Sequence, residues 1–299
     1  MKKRTTKTNL IGKEVKEMKK VFLLFSVLVL SLFLTANASA VPVDNVWVPG
    51  TNQLSDDDAE IWVDTDASGT FNVGDYLMGV VGITSYTTIN QPASNYNELT
   101  GVFAIKVASV NDLGIDFPLG SNVEYGAFSF VPTGDLNAAL LAGFGVNLGL
   151  ANTDANSVVA VLEDSTSDYV RDGVTVPASF ASASDGILRM ILGMEGTNTW
   201  SGVGPLNPLD PDILALAPGT GIGGFTANLT IQWEDFAPLF DPLVAVVGNL
   251  ARPQTNSQWP IQSDSTYTLF VVPEPGTLIL LGTGLAGIGI FARFRRRSR

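Results

Sequence analysis

Several stretches of the chain are rich in apolar residues, and in one of them apolar and polar positions alternate. Val102–Val110 (VFAIKVASV), Val123–Val131 (VEYGAFSFV), Ser157–Leu162 (SVVAVL), Ala227–Trp233 (ANLTIQW) and Thr266–Val272 (TYTLFVV) are rich in β-branched and aromatic residues. Such residues suit a pleated, half-buried surface. In Ala227–Trp233 the apolar Leu229, Ile231 and Trp233 alternate with Thr230 and Gln232, which predicts one buried and one wet face. Turn residues bound most of these runs: Gly120-Ser121-Asn122, Pro132-Thr133-Gly134 and Asp172-Gly173. Asp135–Gly143 reads as a short helix with Asp135 as its N-cap. Ile187–Met194 fits a strand or a helix. Pro205–Pro218, with four prolines, reads as a surface loop. Short strands with polar turns predict an all-β domain with minor short helices, of the β-sandwich or jelly-roll-like kind. Two apolar runs do not alternate, Val21–Leu34 and Thr277–Ala292, and they lie near the two ends.

Composition narrows the chemistry. Among 299 residues there is no His and no Cys. That excludes Ser-His-Asp and Cys-His nucleophile systems, imidazole or thiolate metal sites, and disulfides. Thirty Gly and 16 Pro suit a turn-rich β protein. Charge divides by position. All but three of the 29 acidic residues (Glu14, Glu17 and Glu274) lie in residues 41–272, where the only basic residues are Lys106, Arg171, Arg189 and Arg252. Such a domain repels nucleic acid and anionic lipid and attracts cations. The same charge also serves plain solubility.

The ends read as addresses. Met18-Lys19-Lys20 precedes the apolar Val21–Leu34, and Ala38-x-Ala40 follows as a small-x-small cleavage site. This is the layout of a signal peptide over residues 1–40, with Met18 as an alternative start, export through the Sec machinery and cleavage by signal peptidase after Ala40. At the other end Val272-Pro273-Glu274-Pro275-Gly276 leads into Thr277–Ala292 and then Arg293, Arg295, Arg296, Arg297 and Arg299. The apolar stretch reads as a single transmembrane helix, although it is short for a bilayer span, which needs about 20 residues, and the Arg cluster would stay in the cytoplasm. This order of elements resembles the PEP-CTERM sorting tail of Gram-negative bacteria. The resemblance covers residues 273–299. It implies recognition by an exosortase, removal of the tail and display at the cell surface or in the extracellular matrix. It also implies an association with exopolysaccharide and biofilm. A plain single-span anchor is the alternative. The exported domain would be residues 41–272.

One constellation in that domain has specific chemistry. Asp64-Thr65-Asp66-Ala67-Ser68-Gly69-Thr70-Phe71-Asn72-Val73-Gly74-Asp75 resembles the calcium loop of EF-hand and dockerin modules. Oxygens of Asp64, Asp66 and Ser68, the Thr70 carbonyl, Asn72 and Asp75 would surround one calcium ion. Ser68 stands where Asp or Asn is usual, and Asp75 is a methylene shorter than the usual Glu. The flanks Ile61–Val63 and Tyr76–Tyr86 read as extended, so the loop would sit on a β scaffold. An affinity on the order of 10⁻⁴–10⁻³ M is expected for such a site. An ordinary Asp/Gly-rich hairpin loop is the other reading. Asp56-Asp57-Asp58 just upstream reads as a solvated turn, or as a source of further ligands.

For function, a structural or adhesive matrix protein and a carbohydrate-binding module outrank an enzyme. Glu163-Asp164 and Glu234-Asp235 are the acid pairs available for glycoside hydrolysis, but neighbours on a strand face opposite ways. Trp47, Trp62, Trp200, Trp233 and Trp259 are the aromatic residues available to bind extracellular polysaccharide. Trp200 and Trp259 lie in polar contexts and are expected to be exposed, and Trp233 is expected in the core.

Overall fold

The computed structural model describes residues 46–86, 91–92, 97–116, 122–165, 168–236, 240–252, 257–272 and 283. The chain divides into Met1–Pro42 and Val43–Arg299, and every described residue belongs to the second unit. The signal segment with Ala38 and Ala40 lies outside the described residues. So do Pro273, Glu274, Pro275, the apolar run after them (Thr283 apart) and the Arg cluster. Among the described residues no helix is long and apolar enough to cross a membrane.

The stretches rich in β-branched and aromatic residues become strands, longer than the pattern alone marks. They are β1 (Gly50–Asp56), β2 (Asp58–Val63), β3 (Tyr76–Tyr86), β4 (Gln91–Pro92), β5 (Glu98–Asp116), β6 (Glu124–Pro132) and β7 (Ser157–Asp164). They continue as β8 (Ile187–Gly193), β9 (Trp200–Pro205), β10 (Gly221–Glu234), β11 (Leu243–Ala251) and β12 (Ile261–Val271). The ambiguous segment at 187–194 is a strand because it pairs with both β7 and β10. Among the described residues they are accompanied by helices α1 (Leu136–Phe144), α2 (Val176–Ala183) and the short α3 (Pro211–Leu214), which interrupts the expected loop.

All pairings are antiparallel and belong to one sheet, as the all-β reading expects. β1 and β2 run as one line along β12 in a single register, from Gly50↔Val271 to Glu60↔Ile261. Their other edge pairs with β3. From β3 the hydrogen bonds pass to β5, then through β7 and β8, or through β6 and β9, to β10. From β10 they return through β11 to β12. The sheet therefore closes on itself, and the layers of the expected sandwich are opposite walls of one barrel. Closure leaves few open strand edges.

Alternation then sorts side chains to two sides. Leu77, Val81, Phe103, Ile105, Leu192, Leu229, Val246 and Leu269 fill the interior. Met78, Val80, Val102, Ala104, Ala160 and Ile191 face outward and are covered by α1 and α2. Helix α1 starts where Asp135 Oδ1 accepts from Ala138 N at 3.0 Å, as its sequence predicts. It stops at Gly145, whose φ of 73° would strain any residue with a Cβ. Its Leu136, Leu140 and Phe144 lie one above the other and are buried. Phe144 stacks on Phe180 of α2 at 4.0 Å between ring centroids. Each such burial contributes about 1.5–3 kcal/mol.

A bulge between Ile231 and Trp233 breaks the alternation of β10. Leu229 and Ile231 face the interior, whereas Trp233 packs in the outer cluster, half-buried. Trp200 and Trp259 are not exposed platforms. Trp200 is 5% exposed, between Phe103 and Phe225, and Trp259 is 1% exposed beside Phe144. Their polar neighbours in sequence face outward while the indoles fill gaps between distant elements.

Candidate functional site

The loop between β2 and β3 is residues 64–75. Asp64 organises its first half. Its Oδ1 accepts from Asp66 N and Ser68 N, both at 3.2 Å, and its Oδ2 accepts from Gly69 N at 2.8 Å. The turn needs left-handed backbone at Ala67 (φ 57°), Gly69 (φ 77°) and Gly74 (φ 105°). Phe71 anchors the middle. It is buried, stacked on Trp62 at 5.2 Å and edge-on to Phe128.

The candidate ligands come together. One oxygen from each of Asp64, Asp66 and Asp75 lies within 4.8 Å of the others. The Asn72 amide donates to Asp66 Oδ1 and Oδ2, both at 3.1 Å, and to Ser68 Oγ at 2.7 Å. That NH₂ group lies among the candidate ligand oxygens. Turning the amide over would present Oδ1 to an ion instead. The donation from Asn72, then that from Ser68, holds the Asp66 carboxyl below its ordinary range. Thr70 joins the cluster by its carbonyl, which accepts from Ser68 Oγ at 3.0 Å.

Asp75 differs from the others because it is fully buried. Its Oδ1 accepts from Thr65 N (2.8 Å) and Thr65 Oγ1 (3.0 Å). Its Oδ2 accepts from Asn72 N (3.0 Å) and Trp62 Nε1 (3.1 Å). Those four bonds use the carboxylate's lone pairs. Asp75 therefore staples the loop to β2, and its negative charge stands behind Asp64 and Asp66. An ion would bind Asp75 directly only by displacing one of these donors.

The acid pairs considered for hydrolysis are engaged otherwise. Arg189 Nε lies 3.0 Å from Glu163 Oε2, and Arg189 Nη1 lies 3.6 Å from Asp235 Oδ2. Asn97 also donates to Glu163 at 2.6 Å. Glu234 Oε1 accepts from Phe240 N at 3.4 Å. A more open feature is a surface hollow of about 400 Å³ that includes Asp57, Thr84, Glu98, Thr100, Tyr169 and Arg171. There Glu98 Oε2 accepts from Tyr169 N at 2.9 Å, and burial pushes its carboxyl up to about 7.

The sequence reading placed Asp56-Asp57-Asp58 in a solvated turn, and the structure corrects this. The three lie along the β1–β2 line, where only Asp57 points outward, to an ion pair with Arg171. Asp56, Asp58 and Glu60 point inward and are buried at 2% exposure each. Burial raises the carboxyls of Asp56 to about 6 and Glu60 to about 8, and that of Asp58 well above its usual range. The signal available in sequence was the spacing D-x-D-x-E, which puts all three on one face of a strand.

The barrel with its acidic loop defines an all-β scaffold carrying a cluster of oxygen donors. Its class as an exported protein comes from the C-terminus. Residues 271–297 match the family model for the PEP-CTERM protein-sorting motif. No curated protein and no solved structure matches the chain. The motif marks a protein exported in a Gram-negative bacterium, held as a membrane-anchored precursor and processed by an exosortase.

Proposed function

We propose that the exported barrel is a non-catalytic protein of the cell surface or extracellular matrix that binds calcium on the loop Asp64–Asp75 and adheres to extracellular polysaccharide. The observation that carries this reading is the convergence of Asp64, Asp66 and Asp75 at the barrel surface of a chain with a sorting tail. Without a cation these carboxylates repel one another. With one, Asp64, Asp66, Ser68, the Thr70 carbonyl and a turned Asn72 supply oxygens, and calcium takes six to eight. Coordination positions left over are open to hydroxyl or carboxylate oxygens of a glycan. Burial of Trp200 and Trp259 argues against a flat aromatic platform. The hollow beside Tyr169 and Arg171, about 400 Å³, is large enough for a sugar. The engagement of Glu163 and Asp235 by Arg189 supports the non-catalytic reading.

The test is retention of the exported protein on extracellular polysaccharide from the producing cells, in calcium and in EDTA. Calcium-dependent retention that Asp64→Ala abolishes is the expected result. Retention unaffected by EDTA and by Asp64→Ala would remove the loop from the function, and hydrolysis of the polysaccharide would overturn the non-catalytic reading.

A further inference from the structure

The interior of the barrel contains a polar cluster that the surface loop does not explain. Asp58 on β2 and Glu60 two residues on line a cavity of about 30 Å³ with Tyr267, Phe103, Phe128 and Trp200. Asp56 stands next to Asp58 on the same face. The facing strand offers Ser263 and Ser265. Ser265 N lies 2.6 Å from Asp56 Oδ1, and Ser265 Oγ lies 2.7–2.8 Å from both Asp56 oxygens and 3.2 Å from Asp58 Oδ2. Ser263 Oγ contacts Glu60 Oε1 and lies 3.4 Å from Asp58 Oδ2. Each hydroxyl has one hydrogen to donate. Asp56 and Asp58 also hydrogen-bond to each other, and beyond that the six carboxylate oxygens share three donors from the facing strand. Asp58 Oδ1 and Glu60 Oε2 have no hydrogen-bond partner, although both residues are 2% exposed.

Nor does the domain supply a counter-charge. Its four basic residues are committed elsewhere. Arg171 pairs with Asp57 and Asp172, and Arg189 with Glu163. Lys106 lies over the Tyr76 ring, and Arg252 Nε donates to Leu214 O. A buried carboxylate without a partner is among the costliest groups a core can hold. We propose that Asp58 and Glu60, helped by the Ser263 hydroxyl, hold a hard divalent cation inside the barrel, separate from the loop Asp64–Asp75. Two carboxylates balance a double positive charge. Carboxylate and hydroxyl oxygens select calcium, magnesium or manganese over softer metals. A cavity of about 30 Å³ has room for a bare ion with one or two waters and excludes a sugar, a peptide or a polyamine.

The experiment uses the exported protein with the surface loop disabled by Asp64→Ala and Asp66→Ala. Native mass spectrometry and elemental analysis count bound metal after loading with calcium, magnesium or manganese and a brief EDTA wash. The expected result is one retained divalent ion per chain, released on unfolding. Adding Glu60→Gln or Asp58→Asn, which keep the shape of the side chain, should lower retention by about tenfold or more. It should also remove the metal-dependent rise in Tm, with circular dichroism verifying the fold. Absence of any retained ion in the loop-disabled chain, or retention unchanged by both substitutions, would overturn the inference and leave the carboxylates as protonated core groups. A failure of the loop proposal reads out separately, as no change in metal count or retention on polysaccharide between the unmodified chain and the loop-disabled one.

Discussion

Asp75→Ala separates a loop staple from a calcium ligand. The carboxylate accepts from Thr65 N, Thr65 Oγ1, Asn72 N and Trp62 Nε1, and its residue is fully buried. Hydrogen bonds to a charged group contribute about 1.5–3 kcal/mol each, and their sum is not additive. The Thr65 hydroxyl can turn to water after the substitution, but the two backbone N–H groups and the indole N–H keep their directions. Losing three such bonds, with partial access of water to the loop, gives an expected loss of about 3–5 kcal/mol. For a domain of this size that is on the order of 10 °C in Tm. The loss should be as large in EDTA as in calcium, because every donor belongs to the protein. If Asp75 acted chiefly as a ligand, removing it in EDTA would instead relieve its repulsion with Asp64 and Asp66. Urea denaturation of the exported protein and its variant, in EDTA and in millimolar calcium, decides the matter. A loss below about 1 kcal/mol in EDTA would refute the staple.

Two further outcomes are expected. Glu274→Ala, or replacement of the Arg cluster at 293–297 by serine, should leave full-length precursor in the membrane fraction, read by immunoblot; normal processing would argue that the tail is only an anchor. The Glu98 carboxyl sits at about 7 in the fold, raised chiefly by burial and then by Asp168 and Asp164. The folded state therefore binds its proton more tightly than the unfolded chain. The stability this gives is complete below the ordinary glutamate range and is lost as pH rises through about 7. Glu98→Gln should flatten the fall in Tm between mildly acidic and mildly alkaline pH, and an unchanged slope would place the titration elsewhere.

The strands whose two faces meet different surroundings were legible in the sequence. β5, β6, β7, β10 and β12 each contain a stretch that β-branched and aromatic content marks, and Asp135 starts α1 as its position predicts. The covering helix α2 was not legible, because VPASFASA lacks a clear stripe and depends on Phe180 reaching Phe144. Barrel closure was also hidden. It depends on β1 and β2 pairing with β12, more than 200 residues away in the chain. The three consecutive aspartates show the same limit. Locally they read as a turn, since charge is seldom buried. The burial of Asp56 and Asp58 is dictated by a register with β12 that no local window contains. In the loop the spacing of Asp64, Asp66, Ser68 and Asn72 was enough to bring them together. The four donors around Asp75 come in part from Trp62 and Thr65, which the calcium-loop pattern does not include.

Chain order links the barrel to its export signal. Among the described residues β12 is the last strand, and it ends at Val271, where the matched sorting motif at residues 271–297 begins. Gly50 of the first strand pairs with Val271, so the ring cannot close until the residues next to the tail are available. The hydroxyls of Ser263 and Ser265 come from that same last strand. Before β12 docks, Asp56, Asp58 and Glu60 lie on an open edge where water solvates them. Docking removes that water and supplies only three hydrogen-bond donors in return, so the final closing step is opposed by the desolvation of three carboxylates. A cation or protons taken up at that step offset the penalty. Closure of this barrel therefore depends on the protons or cations available around it, and for an exported chain those are the conditions outside the cytoplasm.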